Sequence, residues 1–211
     1  MCYELKKLLL TGFEPFLNHP VNPTGMIVNE LTGQQINDYQ VTGDILPVEF
    51  NKSGKRLVEL LKTHQPDAVI SLGLAAGRNH ITPERIAINC NDGPVDNQGY
   101  KPNGERIFDN GPDGYFSKLP IHRMVDALKE QGLPVKISNS AGAYLCNNVM
   151  YHGLHYLAGE ERNIPSGFIH IPASHQLAVD SNIPSWSDAG YYSQSKSYST
   201  LFQGQHLFTS G

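Results

Sequence analysis

Short apolar runs that stop at glycine or proline recur along this chain, alternating with stretches of helical periodicity. Leu8 to Thr11 closes at Gly12, Ala68 to Leu72 closes at Gly73, and the run GFIHI before Pro172 ends just as abruptly. Each is too short for a buried helix and reads as a buried strand. Val41 to Val48, Ile86 to Cys90 and Val135 to Ser138 are predicted as further strands. Between them, Met26 to Leu31 supplies a short helix, and Ser53 to His64 places Leu57, Leu60 and Leu61 on one helical face. Pro120 suits the first turn of a helix with Ile121, Val125 and Leu128 as its buried stripe and Gly132 as its stop. A last helix is predicted from about Cys146 to Leu157. Strands alternating with helices imply an α/β fold, with a central sheet, mostly parallel or mixed, layered between helices.

A length of 211 residues fits one compact domain with a sizeable core. We assign residues 1–184 to a catalytic α/β domain and 185–211, heavy in Ser, Gly, Gln and Tyr, to a polar tail; no helix or strand is predicted beyond Leu177. A formal charge of -4 without blocks of like charge points away from nucleic acid and from an anionic membrane surface. The three cysteines, Cys2, Cys90 and Cys146, are odd in number and fit neither a disulfide framework nor a Cys-x-x-Cys metal site. With no apolar stretch long enough for a membrane span, and no cleavage site near the first residues, the chain is expected to be cytoplasmic. The segment from Asn91 to Leu119, rich in glycine and proline, is a long loop of the kind that covers functional sites.

Cys146 follows a glycine-containing turn and stands at the start of a predicted helix, where unpaired N–H groups and the helix dipole favour a thiolate and can hold an oxyanion. The same residue type is equally at home as a buried packing group. His170 lies at the end of a short apolar strand, 24 positions after Cys146. Adjacent strand ends can bring imidazole and thiol together, and ligands of open α/β sheets bind at those ends. Glu84 precedes an apolar strand and can orient a histidine, or can be a solvated loop residue. Cys90, inside the expected alternation Ile86, Ile88, Cys90, reads as a packing residue, and Cys2 as part of a frayed terminus. His152 and His155 share a helix face without a third metal ligand and are expected to be exposed. Phe13 and Phe16, on a loop after the first strand, either line an apolar pocket or pack on the core.

Taken together, TGFEPF (11–16) with NPT (22–24), GLAAGRNHITPERIAIN (73–89), DNQG (96–99), GPDGYFSKLPIHRMV (111–125), SNSAGAYLCNNVMYHGL (138–154) and GFIHIP (167–172) resemble the pyroglutamyl peptidase I, or pyrrolidone carboxyl peptidase, family in order and approximate spacing. The resemblance implies a single α/β/α domain, homotetrameric assembly and no cofactor or metal. It also implies a cysteine peptidase acting on peptides with an N-terminal pyroglutamate. Its catalytic residues would be Cys146, His170 and Glu84, and Phe13 and Phe16 would wall the lactam ring. Leu74 stands where the family commonly has a lactam-contacting glutamine, in the turn expected after Gly73. The arginine that in the family precedes an IPDN block has no counterpart in NDGPVDNQG. The sequence leaves three other readings open: a cysteine amidase acting on another lactam or amide, a nucleoside phosphorylase or hydrolase of similar architecture, and a pyroglutamyl-binding homologue with weakened turnover.

Overall fold

The computed structural model describes residues 4–16 and 21–187. The first strand, β1 (Lys6–Phe13), is buried on both sides, because successive Cβ atoms of a strand point to opposite faces and every residue from Leu8 onward is apolar or small. The chain continues through α1 (Pro23–Leu31), the short β2 (Gln35–Ile36), β3 (Tyr39–Leu46), α2 (Ser53–His64) and β4 (Ala68–Leu74). Five short strands follow: β5 (Thr82–Pro83), β6 (Ile86–Ile88), β7 (Asn91–Asp92), β8 (Asn103–Glu105) and β9 (Gly114–Phe116). Then come α3 (Ile121–Glu130), α4 (Leu145–Gly159), β10 (Ser166–Ile171), β11 (Ala173–Ser174), α5 (His175–Ala178) and β12 (Ser185–Trp186).

The central sheet has six strands in the order β2-β3-β1-β4-β10-β5. Its middle pairings are parallel, while β2 and β5 run antiparallel to their neighbours, so the sheet is mixed. Leu8, Leu10, Ile70, Leu72, Ile169 and Ile171 pack on one side with the apolar residues of α1 and α3. Leu9, Val69 and Phe168 pack on the other with those of α2 and α4. Alternation along three neighbouring strands thus yields the three layers. The helices α2 and α4 approach closely because Gly54 lacks a side chain: a Cβ there would lie 2.2 Å from the His152 ring.

Helix α1 begins earlier than expected. Asn22 caps it, accepting a hydrogen bond from Thr24 N at 3.1 Å, and Pro23 sits at the first helical position. Strand β4 runs through Leu74, so Leu74 ends a strand instead of opening a turn. Val135 to Ser138 do not form a strand. They make isolated parallel bridges to Ile81 and Glu84, because Pro83 between those partners has no N–H to donate to a ladder. Strand β6 stops at Ile88, where Asn147 takes over the backbone: its side chain accepts from Ile88 N at 2.8 Å and donates to Ile88 O and Cys90 O, each at 2.9 Å. Cys90 therefore lies beyond the strand expected to contain it.

The Asn91 to Leu119 loop is not structureless, since it carries β7, β8 and β9. Beyond Leu177, β12 pairs with β11, and Trp186 packs against the α1/α3 core, contrary to the expectation of no strand there. The remainder of the tail (188–211) and Cys2 lie outside the described residues. No helix among the described residues is long and apolar enough to cross a membrane.

Candidate active site

Strand alternation puts His170 on the same side of the sheet as Phe168, toward α4. In register, His170 is flanked by Gly73 of β4 and Thr82 of β5. Its ring nitrogen Nδ1 is 2.7 Å from Glu84 Oε1. Glu84 reaches it because β5 is antiparallel to β10 and ends beside it, with Glu84 N donating to Phe168 O at 2.9 Å. Far from being a solvated loop residue, Glu84 is 0% exposed, and His170 is 5% exposed.

Cys146 is the second residue of α4, and its side chain also engages His170. The N-cap Tyr144 contributes no side-chain hydrogen bond to the first-turn amides, which lack intrahelical partners at the end of the helix that carries the thiol. Close seating of the thiol requires glycine at position 73. A Cβ there would stand 2.9 Å from Cys146 Sγ and 2.6 Å from the Phe168 ring.

Burial is the largest single influence on His170 and opposes its charged form. The Cys146 and Glu84 anions together outweigh it and raise the imidazolium pKa to about 9. Burial likewise pushes Glu84 up, but the hydrogen bond and charge of His170, with smaller contributions from Ser138 and Arg78, hold it below the usual carboxylate range. The site therefore favours imidazolium and carboxylate at neutral pH.

Beside Cys146 lies a small pocket lined by Phe13, Phe16, Asn22, Val48, Leu74, Tyr144 and Leu145. Phe13, which ends β1 instead of lying on a loop, meets Phe168 with ring centroids 6.2 Å apart. Among the described residues the lining includes no charged side chain other than Cys146 itself, and the amide of Asn22 is already committed to Glu14 O, Thr24 N and Thr24 Oγ1. What remains is an apolar slot that suits a flat, uncharged group.

A sequence model of the pyroglutamyl peptidase family matches residues 6–191. The chain belongs to that family. A pyrrolidone-carboxylate peptidase of Oceanobacillus iheyensis is 63% identical over 183 residues, covering 87% of this chain and 92% of the relative. A Pyrococcus furiosus protein of the same name is 46% identical over 175 residues, covering 82% of this chain and 84% of the relative. Among solved structures, Bacillus amyloliquefaciens pyroglutamyl peptidase I superposes with a TM-score of 0.88 at 38% identity, covering 94% of this chain and 95% of that one.

Against the family pattern, Leu74 is 8% exposed and lines the pocket. No arginine stands in the Asn91 to Gly99 segment. The guanidinium on the site belongs to Arg78, 2.6 Å from Glu84 Oε1. Sequence reasoning also missed the scaffold of the pocket rim. Asp96 is buried and accepts from Phe50 N, Gln98 N and Tyr100 N, at 3.0, 2.9 and 3.0 Å. Asn97 donates from its backbone to Val48 O and from its side chain to Glu14 Oε1 and Pro15 O, tying the long loop to the Phe13–Phe16 segment. The DNQG motif was the available signal, since Asp and Asn within a glycine turn commonly bind nearby backbone.

The histidines of α4 serve elsewhere. His152 is buried, not exposed, with Nδ1 2.9 Å from Asn148 O, and His155 Nδ1 is 2.9 Å from the Tyr115 hydroxyl. Both pack against Phe108, His155 stacked on the ring and His152 tilted to it.

Proposed function

We propose that this chain is a cysteine peptidase that removes the N-terminal pyroglutamyl residue from peptides, with Cys146 as nucleophile, His170 as acid and base, and Glu84 as the group that orients His170. The observation that supports this reading is the buried His170–Glu84 pair meeting Cys146 at an uncapped helix start, beside an uncharged pocket lined by Phe13, Phe16 and Leu74. Membership of the family, with relatives named for this activity, supports the same reading.

The Cys146 thiolate attacks the pyroglutamyl carbonyl carbon, and the negative charge that moves to oxygen is met by first-turn amides of α4. As the tetrahedral species collapses, the C–N bond breaks and His170 gives its Nε2 proton to the departing amine. A water then loses a proton to His170 and attacks the thioester. Pyroglutamate leaves as its acid, Cys146 returns as thiolate, and His170 as imidazolium. Selection rests on exclusion. An ordinary N-terminus carries an ammonium, and among the described residues the pocket offers no carboxylate to compensate its desolvation, whereas the lactam is neutral. Cytoplasmic placement and assembly as a homotetramer accompany this proposal.

The test is hydrolysis of a fluorogenic pyroglutamyl amide, with and without a thiol-blocking reagent. Thiol-sensitive release is expected. Absence of release, or release that survives blocking, sinks the proposal.

A further inference from the structure

We infer that Arg78 is a positioning residue for the proposed reaction, holding the Glu84 carboxylate ionised and aimed at His170. The inference rests on the roles proposed above for Glu84 and His170, and its geometry is independent of the substrate.

Arg78 sits in the turn after β4, which its backbone closes by donating to Ala75 O at 2.9 Å. Its Nη1 donates to Thr82 Oγ1 and to Glu84 Oε1, both at 2.6 Å. Thr82 is fully buried and stands opposite His170 in the β5–β10 pairing, so the hydroxyl that aims the guanidinium is itself fixed against the histidine strand. Glu84 Oε1 accepts from His170 Nδ1 as well, at 2.7 Å. Two cationic donors thus converge on one oxygen. Glu84 Oε2 is buried and has no hydrogen-bond partner of good geometry among the described residues, although the nearby Ser138 hydroxyl also favours its charged form.

A carboxylate with no exposure and a bare second oxygen is costly to keep ionised. With His170 as its only cation it would compete for the histidine proton. A second cation on the same oxygen lowers its basicity, so that the carboxylate stays ionised. The side chain of Arg78 is 34% exposed, so its charge acts in part through solvent, and the effect is moderate. Among the described residues, the charged and titratable groups that act on the Glu84–His170 pair from the surrounding elements are Arg78 on the turn after β4 and Cys146 on α4.

Removing the Arg78 charge destabilises the carboxylate and, by taking away a like charge, stabilises the imidazolium. Both limbs of a pH profile should then move upward. For Arg78→Gln we expect kcat/KM for a pyroglutamyl amide to show both limbs shifted up by about one pH unit. We also expect kcat to fall about tenfold, with KM little changed. Arg78→Lys, which restores the charge without the fork, should return both limbs to their original positions. Alkylation of Cys146 by iodoacetamide as a function of pH, with no substrate present, should show the same shift. If Arg78→Gln does not fold, Thr82→Val substitutes for it: losing the aiming hydroxyl should move the limbs in the same direction by a smaller amount. Wild-type limbs in Arg78→Gln, or in Thr82→Val where that is the variant available, overturn the inference. If the wild-type protein shows the alkylation profile and its Arg78 dependence but cleaves no pyroglutamyl amide, the substrate reading fails and the role of Arg78 stands.

Discussion

On its α1/α3 side, β10 presents Ile169 and Ile171, both fully buried in an aliphatic cluster that includes Leu8, Leu10, Ile70 and Leu72. On its α2/α4 side it presents Phe168 and His170, and the second of these meets Glu84, 86 positions earlier in the chain. The same strand therefore serves two kinds of selection. The aliphatic side needs volume and hydrophobicity, which several residue types supply. The other side needs particular atoms at hydrogen-bond distance from partners contributed by other elements, which few substitutions preserve.

That contrast predicts opposite outcomes for neighbouring substitutions. Cys146→Ala and His170→Ala should each lower kcat/KM for a pyroglutamyl amide by on the order of 10⁴-fold or more, with the cooperative melting transition retained. Cys90→Ala should keep most of the activity. Ile169→Ala should lower stability by about 2–5 kcal/mol in denaturant titrations, while the folded fraction retains its rate. A catalytic collapse in Ile169→Ala without loss of stability would erase the distinction between the faces. Glu84→Gln should cost less than either member it supports, about 10²-fold. An unchanged rate would remove Glu84 from the site.

Gly73→Ala probes the boundary between packing and chemistry, because the added methyl meets both Phe168 and the Cys146 sulfur. Overpacking of about 1–3 kcal/mol and a rate loss of about 10²-fold are expected together. Stability loss alone would mean that the thiol tolerates displacement.

The pH dependence sharpens the comparison further. His170 is raised from its ordinary 6.5 to about 9, so its contribution to stability is complete below about 6.5 and lost as pH rises through about 9. Glu84 is lowered from its ordinary 4.5, so its contribution is present above that value and lost as pH falls below it. Activity should fail over the same alkaline range, as the proton destined for the leaving amine is lost. In Cys146→Ala the thiolate that helps hold the His170 proton is gone, and the alkaline loss of stability should begin at lower pH. Melting temperatures of both proteins from pH 5 to 10 decide this. Coincident alkaline transitions would show that Cys146 does not act on His170.

Much of this was legible where interactions are local. Helix α2 occupies Ser53–His64 as its periodicity predicts, and α3 buries Ile121, Val125 and Leu128 as expected, with Met124 added. The helix-start setting of Cys146 and the strand-end setting of His170 made them candidates with Glu84, and motif resemblance then singled out the three together. Burial of Glu84 was not legible, since a glutamate before a strand looks solvated until a partner from β10 covers it. Arg78 was overlooked for the same reason, because only the β5 pairing brings Thr82 and Glu84 within its reach. Trp186 could not be placed either, as its strand is two residues long and exists through β11.

The smallest effect is expected at Leu74, where the two demands meet in one residue: it ends a core strand and also lines the pocket. If selection rests on excluding an ammonium, a leucine at this wall loses nothing, because the neutral lactam is admitted by an uncharged surface and its polar edge finds backbone groups. Leu74→Gln would then add a nearly buried amide with no assured partner, lowering stability by about 1–3 kcal/mol. The ratio of kcat/KM for pyroglutamyl over prolyl amides should change by less than about tenfold, the equivalent of one modest hydrogen bond. Measuring both substrates in both proteins separates the possibilities. A ratio that climbs well beyond tenfold would mean that the lactam edge is unpaired beside Leu74, and that selectivity in this chain is limited by a missing donor, not set by exclusion.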